Sequence, residues 1–126
     1  LPVRWFAHPF FPIPAGRRLF RSNVAFAVPD SPGFEKDAKG WICRKPGHDW
    51  AAGCFCPLAF DSAAALLLEL EQEHPLVGTV SVRADFAPTS FPIWGNDRTF
   101  SFEPYWEHEI AAGRCAGWAI EYRFGA

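Results

Sequence analysis

The chain has 126 residues, of which 49% are hydrophobic and 17% aromatic, so it carries enough apolar surface to bury a core, which excludes a disordered chain. A chain of this length suits one domain rather than two. Its formal net charge of −2, without a run of Lys or Arg, is untypical of proteins that bind nucleic acid or anionic membranes, so we expect small or neutral partners.

Apolar residues recur at every second position in the first part of the chain, a pattern typical of β-strands with one buried face. Residues 2–8 look extended as far as a proline-rich turn at 9–12. Val24, Phe26 and Val28 form a further alternating set. We therefore predict strands in both regions.

The segment between Asp30 and Cys56 loses this alternation and is rich in glycine, proline and charged residues. A connection of this length is more often a binding or lid segment than a neutral linker. It also carries Trp41 and Trp50, which a fully solvated loop has little reason to hold. We expect this segment to fold over something.

Alternation returns in the second half of the chain. Residues 62–73 have the composition of a helix, but their alternation continues into 79–85, so we predict a hairpin of two strands joined through 74–78. Residues 99–103 and 118–124 alternate in the same way. The whole pattern predicts an all-β chain, folded as an antiparallel β-sandwich that forms a single domain over residues 1–126.

Four cysteines are too few for a disulfide scaffold and lack the paired C-x-x-C spacing of a zinc site. Cys54 and Cys56 would share one strand face, with His48 close by in sequence, which leaves a metal site as the less favoured alternative. Free, at least partly buried thiols are the favoured interpretation for these residues and for Cys43 and Cys115. The even number also permits two disulfides.

Two polar residues interrupt aromatic stretches and are candidates for proton transfer. His8 lies among aromatic residues and prolines, where an imidazole is partly desolvated, and Glu103 ends a predicted strand. For each of these two residues there is also a purely structural interpretation. A histidine before proline is more often a hydrogen-bonded structural residue, and a glutamate at this position of the alternation is more often solvent-facing.

Several segments resemble the aldose 1-epimerase (mutarotase) superfamily, particularly its hexose-6-phosphate 1-epimerase-like branch. The segment His8-Pro9-Phe10-Phe11-Pro12 resembles the H-P-[YF]-F element of that family. The segments 91–94 and 100–105 resemble its closing strands with their Glu-Pro motif, and 111–113 and 118–124 resemble its final turn and strand. The likeness implies the C-terminal half of the family's large β-sandwich.

The resemblance implies an enzyme that interconverts the α and β anomers of a hexose or hexose phosphate by opening the ring. His8 would be the general acid and Glu103 the general base, with no metal and no organic cofactor required. Asp49 is the best positional match for an aspartate that contacts sugar hydroxyls, and Trp94 would contribute to substrate binding. The competitors for the aspartate role are Asp30, Asp37 and Asp61.

Family members are about twice this length by the same resemblance, so we expect the chain to be an incomplete, C-terminal part of an epimerase-like domain. The leucine at position 1 and the lack of methionine fit this expectation. Either the missing N-terminal half comes from a second chain or from a homo-oligomer, or the chain is an excised piece of a longer protein. The expected location is cytoplasmic.

A second hypothesis is a non-catalytic carbohydrate-binding β-sandwich module that uses tryptophans as stacking platforms. The candidate platforms are Trp41, Trp50, Trp94 and Trp106. A third is a structural sandwich half that binds no ligand.

Overall fold

A computed structural model describes residues 1–60 and 66–125. Within them the chain forms short strands and one 3-10 helix at Trp50–Ala52. The strands are β1 (Pro2–Phe6), β2 (Phe11–Pro12), β3 (Arg18–Ser22), β4 (Phe34–Lys36), β5 (Ile42–Arg44), β6 (Cys54–Leu58), β7 (Glu69–His74), β8 (Gly78–Ala84), β9 (Phe91–Gly95), β10 (Thr99–Phe102), β11 (Tyr105–Glu109) and β12 (Ile120–Phe124).

The strands form three antiparallel sheets. One has four strands in the order β2-β10-β9-β6, another has six in the order β12-β8-β7-β3-β5-β4, and β1 pairs with β11 as a two-stranded ribbon. The predicted all-β, antiparallel sandwich is confirmed. No described helix has the length and apolar character needed to span a membrane.

The core lies between the two larger sheets and is dominated by phenylalanine. Phe20 on β3 packs 5.3 Å from Phe102 on β10 and 5.9 Å from Phe91 on β9, measured between ring centroids. Phe102 and Phe20 are fully buried. Such large side chains contribute most of the apolar burial that holds the two sheets together.

The β1–β11 ribbon is attached to this core through tryptophans. Trp5 and Trp106 face each other across the ribbon, and Trp118 stacks on Trp106 with ring centroids 4.1 Å apart. Trp118 also lies 5.3 Å from Trp5. The three partly buried rings pack against the core, and backbone hydrogen bonds between Tyr105 and residues 89–90 add to this attachment.

The hairpin predicted from the alternation forms as β7 and β8, and the remaining strands predicted in the second half form as β10 and β12. Residues 62–65 of the predicted hairpin lie outside the described residues. The predicted strand at Val24–Val28 is wrong, because this segment contributes only an isolated bridge at Ala27. Phe26 donates its backbone N–H to the carbonyl of Val24, a turn that prevents regular pairing.

The expectation of an irregular segment between Asp30 and Cys56 is also wrong in part, since it contains β4, β5 and the start of β6. Asp37 closes the β4–β5 turn by accepting hydrogen bonds from the backbone N–H groups of Lys39 and Trp41. Burial favours the neutral acid, but these bonds and Arg18 outweigh it, so the pKa of Asp37 is lowered. Three-residue strands are too short to show a period of two.

The outer face of the six-stranded sheet carries charged residues of alternating sign. Arg21 on β3 lies 2.9 Å from Glu71 on β7, and Arg83 on β8 lies 3.2 Å from Glu69 on β7. Glu121 on β12 lies directly opposite Arg83. Cross-strand pairs of opposite charge suit a face that meets water.

Candidate functional site

The structure brings His8 and Glu103 into direct contact. Nε2 of His8 lies 3.0 Å from Oε1 of Glu103, and the side chains are 41% and 7% exposed respectively. His8 lies between β1 and β2, and Glu103 lies between β10 and β11. Because β1 pairs with β11 and β2 pairs with β10, the topology places these two connections side by side.

Glu103 is held by two further hydrogen bonds. The hydroxyl of Ser101 donates to Oε1 of Glu103 over 2.8 Å, and the backbone N–H of Glu103 donates to the carbonyl of Pro92 over 2.9 Å. Ser101 is fully buried. The interpretation of Glu103 as a solvent-facing strand residue is therefore wrong, and its carboxylate has the donors that a buried charge requires.

Aromatic side chains extend from this pair across the four-stranded sheet, with Phe10 and Phe55 exposed and Trp94 half-buried. The ring of His8 lies 4.6 Å from that of Phe10, and Phe10 meets Trp94 edge to face at 6.1 Å. Trp94 lies directly opposite Phe55 in the β6–β9 ladder, so the two side chains share one face of the sheet. We call Phe10, Trp94 and Phe55 the aromatic row, in which Phe10 is 63% and Phe55 61% exposed.

Asp49 lies at the start of the 3-10 helix, where its Oδ1 accepts a hydrogen bond from the backbone N–H of Ala51 over 3.2 Å. The residue is exposed, and none of its described hydrogen bonds reaches His8 or Glu103. The helix is followed by Gly53, where a methyl group would lie 3.7 Å from Nε1 of Trp94. The turn that carries Asp49 therefore borders the aromatic row, without bringing Asp49 to the pair.

Three of the four candidate stacking tryptophans have rings that are buried or covered by other side chains. Trp41 is only 5% exposed. Trp50 is covered by the Arg44 guanidinium 4.2 Å above its ring, and Trp106 is covered by Trp118. Trp94 is the candidate that the structure places beside the His8–Glu103 pair.

The four cysteines are free thiols, as favoured from the sequence, but the expectation that all of them are at least partly buried is wrong for Cys115. Cys43, Cys54 and Cys56 are buried and Cys115 is exposed. Cys54 and Cys56 share the inner face of β6, and burial raises the pKa values of Cys43 and Cys56. Across residues 1–60 and 66–125, no three His, Cys, Asp or Glu side chains come together as a metal site.

Sequence reasoning named the pair and Trp94 but missed Ser101, Phe10 and Phe55 as neighbours. Ser101 precedes Glu103 by two positions in an alternating strand, so a period of two already places both side chains on one face. Phe10 is part of the segment that carries His8. Phe55 also had a signal, because placing Cys54 and Cys56 on one strand face puts the residue between them on the opposite face.

The arrangement combines an imidazole, a buried carboxylate and an adjacent apolar surface. An imidazole and a carboxylate in contact can exchange a proton with each other or with a bound hydroxyl. Comparisons with protein-family models, with curated proteins and with solved structures find no match for this chain.

Proposed function

We propose that the chain contributes the catalytic pair of an aldose 1-epimerase-like enzyme that interconverts the anomers of a hexose or hexose phosphate. The observation that carries this proposal is the 3.0 Å contact between His8 and Glu103 beside an exposed aromatic surface. The resemblance of the segments around both residues to the aldose 1-epimerase superfamily supports the same assignment.

The chemistry of anomer exchange requires an acid and a base close together. One proton leaves the C1 hydroxyl while another is delivered to the ring oxygen, and these two oxygens are bonded to the same carbon. Glu103 takes the hydroxyl proton, and protonated His8 donates to the ring oxygen as the bond between C1 and that oxygen breaks. After rotation about C1–C2, both transfers run in reverse and close the other anomer.

The hydrogen bonds around Glu103 indicate which oxygen would act. Ser101 and His8 both contact Oε1, so neither of these bonds uses Oε2. In the proposal, Oε2 receives the proton from the C1 hydroxyl and Ser101 holds the carboxylate in orientation. The apolar C–H face of the sugar would rest on Trp94.

The test is anomer exchange measured by NMR magnetisation transfer on glucose and glucose 6-phosphate, using the longest protein that the reading frame encodes. Positioned acid or base groups typically contribute about 10²- to 10⁴-fold in rate, so Glu103→Gln should remove at least about a hundredfold of the acceleration. Glu109→Gln is the matched control, since it makes the same replacement at an exposed glutamate on β11. A folded Glu103→Gln protein with the wild-type exchange rate would refute the role given to Glu103.

A non-catalytic carbohydrate-binding module is the second candidate, favoured by the exposed aromatic row. It predicts that sugar shifts the indole NMR signal of Trp94 while the anomer exchange rate stays at the value of the buffer. Trp94→Ala would then abolish the response to sugar, whereas Glu103→Gln would have little effect on it.

A further inference from the structure

A cleft of about 270 Å³ lies between two turns, at residues 14–17 and 44–47. Its lining includes the cationic residues Arg17, Arg44 and Lys45, together with Trp50. Neither the His8–Glu103 pair nor the aromatic row lines this cleft. It is thus a separate feature of the molecule.

The positive charge around the cleft is only partly compensated. Arg17 forms an ion pair with Glu35. Among the described residues, no carboxylate lies within 4 Å of Arg44 or Lys45, which distinguishes them from Arg17. Lys45 donates from Nζ to the carbonyl of Ser31 over 2.6 Å, but a carbonyl removes no charge.

Arg44 is held by two neighbouring groups and is partly buried. Its guanidinium lies 4.2 Å from the ring centroid of Trp50, and its Nη2 donates to the carbonyl of Asn96 over 3.2 Å. Its Nε is buried and has no hydrogen-bond partner among the described residues. Burial lowers the pKa of Arg44, against an opposing effect of Asp97. A desolvated cation of this kind gains from an anionic partner.

We propose that this cleft binds a phosphate-sized oxyanion, with Arg44 as its principal donor and Lys45 and Arg17 as further positive charges. An arginine fork held flat on an indole is suited to the planar, two-point recognition of phosphate oxygens. With Arg17 paired to Glu35, Arg44 and Lys45 remain as two positive charges without an ion-pair partner among the described residues, which match the charge of a phosphate better than the single charge of a carboxylate. Inorganic phosphate and a phosphate monoester offer the same terminal oxygens, and the experiment distinguishes them.

The test is an NMR titration of the ¹⁵N-labelled chain with inorganic phosphate at constant ionic strength. The indole N–H of Trp50, which donates to the carbonyl of Lys45 over 3.4 Å, reports on the cleft. A saturable shift of this signal and of the Arg44 side chain is the expected result. Glucose 6-phosphate and glucose form the other arms, and tighter binding of the ester than of inorganic phosphate identifies a phosphate monoester as the ligand.

Arg44→Gln should weaken phosphate binding about tenfold or more, the loss expected for hydrogen bonds to a charged group. Arg44→Lys keeps the positive charge but removes the planar pair of guanidinium donors, so its phosphate affinity should be intermediate. This variant also tests the proposal if Arg44→Gln fails to fold. Arg114→Gln is the matched control, because it removes one exposed arginine that does not line the cleft.

The proposal is overturned if phosphate produces no saturable shift, or if Arg44→Gln and Arg114→Gln change the affinity equally. This outcome is independent of anomer exchange, since the phosphate titration involves neither His8 nor Glu103.

Discussion

The outer faces of the two larger sheets are built differently although both belong to alternating strands. The six-stranded sheet presents charged pairs such as Arg83 and Glu69, whose side chains are 61% and 55% exposed. The four-stranded sheet presents the aromatic row and a carboxylate that is only 7% exposed. Alternation reveals which residues face outward, whereas the chemistry of those residues distinguishes a surface that meets water from one suited to a ligand.

Replacement of His8 by alanine tests the buried carboxylate on the four-stranded sheet. Of the substitutions considered for stability, it should lower the free energy of unfolding the most. Without the imidazole, the carboxylate of Glu103 keeps Ser101 as its one side-chain donor among the described residues. We expect the free energy of unfolding to fall by about 1–3 kcal/mol, measured by urea denaturation at pH 7.

His108→Ala is the control for this change, because His108 is an exposed histidine on β11 whose ring rests on Trp106. A loss for His8→Ala no greater than that for His108→Ala would show that the His8–Glu103 contact contributes nothing to stability.

A buried polar residue on the inner face of the six-stranded sheet tests the core that the two larger sheets share. Gln72 on β7 is fully buried between Phe20 and Val80, and among the described residues its amide has no hydrogen-bond partner. A buried amide without partners typically costs about 1–3 kcal/mol. Gln72→Met keeps an unbranched side chain and should raise the free energy of unfolding by up to that amount.

Leu70→Met on the same strand is the matched control, since it removes no polar group and should cost less than about 1.5 kcal/mol. A Gln72→Met protein that is less stable than wild type would show that the amide is satisfied in solution.

Arg83→Ala tests the charged outer face of the six-stranded sheet, and it should change the free energy of unfolding the least. Exposed ion pairs are typically worth about 0.2–1 kcal/mol, and salt screens them. The change in unfolding free energy should lie at the low end of that range and should vanish in concentrated NaCl. If Arg83→Ala lowered the free energy of unfolding as much as His8→Ala, the two outer faces would not differ in their contribution to stability.

Much of the fold follows from the period of two, because residues of β7, β8, β10 and β12 alternate over enough positions to be recognised. The three-residue strands β4 and β5 cannot be recognised in this way, because they are too short to show the alternation. The turn between them is stabilised by the side chain of Asp37. Between Val24 and Val28 the alternation is present, but local turn hydrogen bonds prevent a strand.

The candidate site was predictable only in part. His8 and Glu103 were paired through a resemblance, and no local pattern reports that residues 95 positions apart in sequence will touch. Their contact depends on two long-range pairings, of β1 with β11 and of β2 with β10. The position of Phe55 depends on an edge strand that lies next to β9 although 32 residues separate the two strands.

The pairing of β1 with β11 also has a consequence for the order of folding. Pro2 lies opposite Glu109, so nearly the whole described chain must leave the ribosome before the first strand can find its partner. Closing so long a loop is entropically unfavourable, and folds dominated by such contacts form slowly. The β7–β8 hairpin, joined by a short turn, should therefore form early, and the site that joins His8 to Glu103 should be among the last parts of the protein to assemble.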